Sequence, residues 1–155
     1  MKTTITILTL CLFIFAGTQS AQAQTQEETI AWIKETLEKY GEKTYSYYAD
    51  VQVSPCKISW VKVDVDDEWG MNIPSDYYVI DLNMGGSWKA GENGQHVAAE
   101  SSVVKYFSFN TAIGEFEEKE YMKVKFFPIG SAENELAERM AKALNHLATF
   151  CESDE

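Results

Sequence analysis

From Tyr45 to Ile129 apolar side chains recur with a period of two, and a helical period governs the chain just before and after that stretch. Aromatic and β-branched residues dominate five runs in it: "YSYYADVQV" (45–53), "CKISWVKVDV" (56–65), "YYVIDLNM" (77–84), "VAAESSVVKYFSF" (97–109) and "EYMKVKFFPI" (120–129). A parallel α/β sheet needs helices between its strands, so this order of elements excludes one. The predicted fold class is α+β: an N-terminal helix, a curved antiparallel sheet or small barrel of five to seven strands, and a C-terminal capping helix. In the second run Cys56, Ile58 and Trp60 share one face while Val61, Val63 and Val65 share the other, which predicts either a bulge or a strand passing from one packing environment to another. "DDEWGMNIPSD" reads as a polar connection and "GGSWKAGENGQ" as a glycine-rich turn. The acidic "GEFEEKE" reads as the loop of a hairpin joining the last two runs.

The first helix has a legible start. "TQEE" is a capping box, with Thr25 as N-cap and Glu28 three residues on, and Ile30, Ile33, Leu37 and Tyr40 then follow at helical spacing over residues 26–40. Gly41 supplies the stop. The last helix is expected from a cap at Ser131 to about Cys151, with Leu136, Met140, Leu144, Leu147 and Cys151 forming one apolar stripe. On that helix His146 and Cys151 lie about 140° apart around the axis, so they form neither a catalytic pair nor a metal pair.

The chain opens with Lys2, an apolar run from Ile5 to Ala16 and small residues at Ala21 and Ala23, the pattern of a secretory signal peptide over 1–23. That run is too short for a membrane span, which takes about 18 or more apolar residues. The expectation is a secreted or periplasmic protein, cleaved near Ala23, with a single domain over 24–155 and a disordered acidic tail at 152–155. Cleavage removes one lysine and no acid, so 13 cations become 12 against 24 acids, a net charge of −12. Such a field repels nucleic acid and anionic lipid surfaces alike, and leaves an unknown protein or small molecule as partner.

Few residues speak for chemistry. His96 lies in the turn-like "ENGQH", and no spacing joins it to His146 as a zinc site. Asp64, Asp66 and Glu68 match the first, third and fifth positions of a calcium loop, but Trp69 stands where glycine is needed and Ser75 where glutamate is needed. They remain only a weak metal alternative. No nucleophile motif or phosphate loop is present, so no catalytic residue and no cofactor is assigned. Cys56 and Cys151 survive processing, and in an oxidising compartment they can form one bridge. Trp69, Tyr77 and Trp88 adjoin turns and are the candidate binding residues. The leading expectation is a non-enzymatic binding module; the alternatives are a hydrolase or metal-dependent enzyme and a small-molecule carrier with an apolar barrel cavity.

In its organisation the mature chain resembles the small secreted bacterial proteins of the pleckstrin-homology-like type. The residues carrying the resemblance are "EETIAWIKETLEKY", the mid-chain "YYVIDLNM" and the terminal "AERMAKALNHLATFC". It implies a bent antiparallel barrel of about seven strands, capped at one end by the final helix, that binds or scaffolds without catalysing. Phosphoinositide binding does not transfer, because the basic loop it requires is missing.

Overall fold

The computed structural model describes residues 25–41, 45–66, 68, 70–84, 86–91, 94, 96–99, 104–119, 126–128 and 135–151. The predicted signal peptide, Trp69, Ser131 and the acidic tail lie outside these residues. Helix α1 spans Gln26–Tyr40, and its capping box forms: the Glu28 N–H donates to Thr25 Oγ1 (3.2 Å) and the Thr25 N–H donates to Glu28 Oε2 (2.9 Å). Gly41 ends the helix, but with φ −63° its conformation is open to any residue. Space is what demands glycine there, since a Cβ would run into the Tyr48 ring and the Leu37 carbonyl oxygen.

Eight strands follow: β1 (Ser46–Val53), β2 (Lys57–Asp66), β3 (Met71–Asp81), β4 (Trp88–Ala90), β5 (His96–Ala99), β6 (Val104–Asn110), β7 (Glu115–Lys119) and β8 (Phe126–Pro128). A short 3-10 turn, Leu82–Met84, separates β3 from β4, and helix α2 (Leu136–Ala148) closes the order. All pairings are antiparallel, in a five-stranded sheet ordered β1-β2-β3-β6-β7 and a three-stranded sheet ordered β4-β5-β8. The α+β class stands. Among the described residues no closed barrel forms, because β1 and β7 are the outer strands of the larger sheet.

Three local expectations are corrected. The acidic "GEFEEKE" is not a hairpin loop: Glu115–Lys119 is strand β7, paired with β6 through a turn in which Gly114 (φ 71°) donates its N–H to the Asn110 carbonyl at 2.8 Å. Glu115, Glu117 and Lys119 lie on one face and Phe116 with Glu118 on the other, and charge on both faces suits an outer strand. β8 pairs with β5 instead. The polar connection shrinks to a corner around Glu68–Gly70, because Met71–Asp81 is one continuous strand. Pro74 is tolerated within it because β6 reaches only Asp76 to Ile80, leaving Pro74 without a strand partner on that side among the described residues. No bulge falls between Trp60 and Val61, which pair in register with Tyr78 and Tyr77, so the two apolar sets are the two faces of one regular strand; the bulge is on β3, where the register skips Ser75 opposite Lys62 and Val63, and a second irregularity in β1 centres on Asp50 (φ 50°).

The core sits on one face of the larger sheet. Ile33 and Leu37 of α1 and Met140, Leu144 and Leu147 of α2 pack with Tyr48, Ile58, Trp60, Ile80 and Val104 of the large sheet and Trp88, Val97 and Ala99 of the small one. Asn145 fastens α2 to the small sheet: it accepts the Trp88 N–H (2.8 Å) and donates to the Trp88 carbonyl (2.9 Å). After α2 the chain turns through Thr149 and Phe150 and brings Cys151 to disulfide distance from Cys56, with Cα atoms 5.3 Å apart. Cys151 packs against the core from this turn, one step beyond the helix proper.

Candidate functional site: an aromatic sheet face

The opposite face of the large sheet carries aromatic side chains as well. Strand alternation puts Tyr77 and Val79 of β3 on that face, where Tyr77 stands across from Val61 of β2 and Phe107 of β6. Phe109 pairs with Phe116, and Tyr47 with Val63, on the same face. The rings touch: Tyr77 to Phe107 at 5.5 Å between centroids, Tyr77 to Phe116 at 5.9 Å, and Phe109 to Phe116 edge-on at 5.1 Å. Val63 and Val79 are buried among these neighbours, Tyr77, Phe107 and Phe109 are half-buried, and Phe116 and Tyr47 are each 37% exposed.

None of these residues belongs to the core under the helices. Among the described residues, both α1 and α2 bury their apolar stripes on the other face. A sheet with one face under helices ordinarily presents polar side chains on the other. Here that second face is aromatic, with Lys105 and Glu118 at its margin. Exposed apolar surface that is contiguous marks a contact site more often than it marks a structural need.

The sequence-predicted binding residues divide. Tyr77 is the hub of the aromatic face. Trp88 is a correction: it is 3% exposed, buried between α2 and the small sheet, so it contributes to stability and cannot meet a partner. Its glycine-rich flanks read as a turn, whereas tertiary contact with Asn145 makes it the start of a strand. Phe107, Phe109, Phe116 and Tyr47 were not anticipated. For Phe107 and Phe109 the signal lies in "KYFSFN", where rings on both alternating positions mean that the strand has two apolar faces.

Asp64, Asp66 and Glu68 do not converge into a ligand set. Asp64 faces Lys62 (3.6 Å), and the Asp66 carboxylate accepts the Glu68 N–H (3.0 Å) in a turn. Among the described residues no three or more of His, Cys, Asp and Glu cluster in a way that would hold a metal. His96 begins β5 close against Gly91, and His146 on α2 packs edge-on against Phe150 at 5.0 Å.

The helix-side face ends in a polar network beyond the core. Tyr106 donates its hydroxyl to Asp76 (2.8 Å), as does Tyr78 (3.4 Å). Burial, then the bond to the Asp76 carboxylate, raises the Tyr106 pKa above 10.0. A tyrosine whose folded pKa exceeds its unfolded value contributes stability that is complete below about pH 10 and is lost as pH rises through the folded pKa. Unfolding at a series of pH values should therefore show a steeper alkaline loss of stability in the wild type than in Tyr106→Phe; identical slopes would contradict this role.

No helix among the described residues is long and apolar enough to cross a membrane. Comparison with protein-family models, with curated proteins and with solved structures finds no match to this chain.

Proposed function

We propose that the mature chain acts outside the cytoplasm as a non-enzymatic interaction module, holding a protein partner on the aromatic face centred on Tyr77. The single observation that carries this reading is the Tyr77–Phe107–Phe116–Phe109 ring cluster on the sheet face opposite both helices. An open sheet face of this kind suits the apolar surface of another protein, since small molecules prefer concave sites. The charge of the chain, 13 cations against 24 acids, favours a basic partner and opposes pairing with a second copy of itself. Leader-like residues before Gln24 and a cysteine pair at disulfide distance support an oxidising, extracytoplasmic location. The resemblance to pleckstrin-homology-like proteins supports the same class of function, binding without catalysis.

The test compares the mature wild type with the double variant Tyr47→Ser, Phe116→Ser as bait for envelope and secreted proteins from the source cells. The expected result is a defined basic protein retained by the wild type and lost from the variant, with both baits melting within a few degrees of each other. Equal retention by both baits would rule out this face as the binding site.

A further inference from the structure

A separate feature lies on the helix side. Trp32, Thr36 and Tyr40 follow one another at steps of four on α1 and so share a face, and Leu136 and Arg139 share a face in the first turn of α2. Together with Glu35 and Lys39 they line a half-open pocket of about 180 Å³ between the helices. Half-buried Trp32 and Tyr40 are its aromatic walls, and its floor is Thr36 and Leu136, 4% and 3% exposed.

Thr36 gives the pocket its polarity. A buried threonine in a helix can satisfy its hydroxyl on the carbonyl four residues back, as Thr29 of the same helix does on Thr25 at 2.9 Å. Thr36 makes no side-chain hydrogen bond among the described residues. Its oxygen is not sealed in the core either, so the space it opens to is the pocket it lines. A hydroxyl so placed calls for a partner that can both donate and accept.

Charge at the mouth selects against ions. Glu35 lines it and Glu135 stands at the same rim just before α2, so two acids offset Lys39 and Arg139. Both cations are also committed: Arg139 lies over the Trp32 ring at 5.2 Å, Lys39 over the Tyr40 ring at 4.8 Å, and each has further contacts. With no net charge to meet it, an ion would lose hydration on entry without compensation. Size narrows the choice to one ring, since a cavity of about 150 Å³ takes benzene and the remainder leaves room for one small polar group.

We propose that the pocket between α1 and α2 binds a small uncharged phenol, its ring between Trp32 and Tyr40 and its O–H paired with the Thr36 hydroxyl. The phenol O–H donates and accepts, as the threonine hydroxyl does, so each satisfies the other at the floor. This site is independent of the Tyr77 face, and either can fail without the other.

The test is titration of the mature protein near neutral pH with phenol itself, followed by the indole N–H resonance of Trp32, which a Trp32→Phe variant assigns. Saturable movement of that resonance in the millimolar range is expected. Binding should be weaker by about fivefold or more with toluene, which has the ring without the hydroxyl, and with benzoate, which carries a charge. Thr36→Val keeps the shape of the side chain and removes the hydroxyl. It should weaken phenol by about fivefold or more, leave toluene unchanged or tighter, and melt within a few degrees of the wild type. The proposal is overturned by a Trp32 resonance that does not saturate, by toluene or benzoate binding as tightly as phenol to the wild type, or by undiminished phenol binding in Thr36→Val.

Discussion

Trp60→Ala is expected to lower the unfolding free energy by about 3–5 kcal/mol, a large share of the roughly 5–15 kcal/mol that holds an ordinary domain. Trp60 is 1% exposed and stands at the centre of the helix-covered face, stacked against Tyr78 and tilted against Tyr48, each at 5.2 Å between ring centroids. Removing the indole leaves a cavity among Tyr48, Tyr78 and the buried residues around them, which are fixed by strand register and cannot collapse into it. Trp60→Phe keeps a ring between the tyrosines and should lose less than half as much. Urea titration with an unchanged m-value is the measurement. Phe116→Ala serves as the reference on the opposite face, where a cost under about 1 kcal/mol is expected for an exposed ring. Equal losses from Trp60→Ala and Phe116→Ala would mean that the two faces are equally core, against the division drawn between them.

Cys151→Ser is the second large effect. Cys56 and Cys151 stand 95 residues apart in sequence, and closing a loop of that length restricts the unfolded chain by about 4–5 kcal/mol in the chain-entropy model. Cys56 precedes β2 and Cys151 follows α2, so the bridge ties the C-terminal helix to the central sheet. Losing it frees the end of α2 while leaving its inner stripe, Met140, Leu144 and Leu147, in place. Cys151→Ser, Cys56→Ser and the double variant should therefore lose the same amount, and reduced wild type should match them. Thiol titration of the denatured, unreduced mature protein should find no free thiol. Two free thiols, or a Cys151→Ser variant as stable as the wild type, would exclude the bridge.

How much of this was legible in the sequence depends on whether a feature is local or tertiary. α1 was legible to its ends because its cap is local: Thr25 and Glu28 are three residues apart and satisfy each other's backbone. β1 and β2 were legible from aromatic and β-branched alternation, whereas the run 97–109, which reads as one strand, divides into β5 and β6 of different sheets. β7 was hidden because four of its five residues are charged, and only Phe116, resting on Phe109 and Tyr77, shows why the segment pairs. Met71–Pro74 was hidden because proline ordinarily argues against a strand, and its tolerance here depends on where β6 stops. Gly41 ends α1 as its place in the sequence implies, while the close approach of Tyr48 that also demands glycine there is tertiary and invisible in the local pattern. At the candidate site, Tyr77 was found by its place near a turn and Trp88 was misread by the same criterion. Which aromatic residue is buried is decided by what packs on it, and α2 covers Trp88 while no described element covers Phe116. The interhelical pocket was beyond local patterns altogether, because it joins residues about 100 positions apart on two elements.

The central claim is that the sheet face around Tyr77 is where this protein meets its partner. Its most direct test places a photo-activated benzophenone amino acid at position 116, or at position 34 on the outer face of α1, in the full chain produced in its own cells. Irradiation is expected to give one discrete cross-linked adduct from position 116 and none from position 34. No adduct from position 116, or the same adducts from both positions, would contradict the claim.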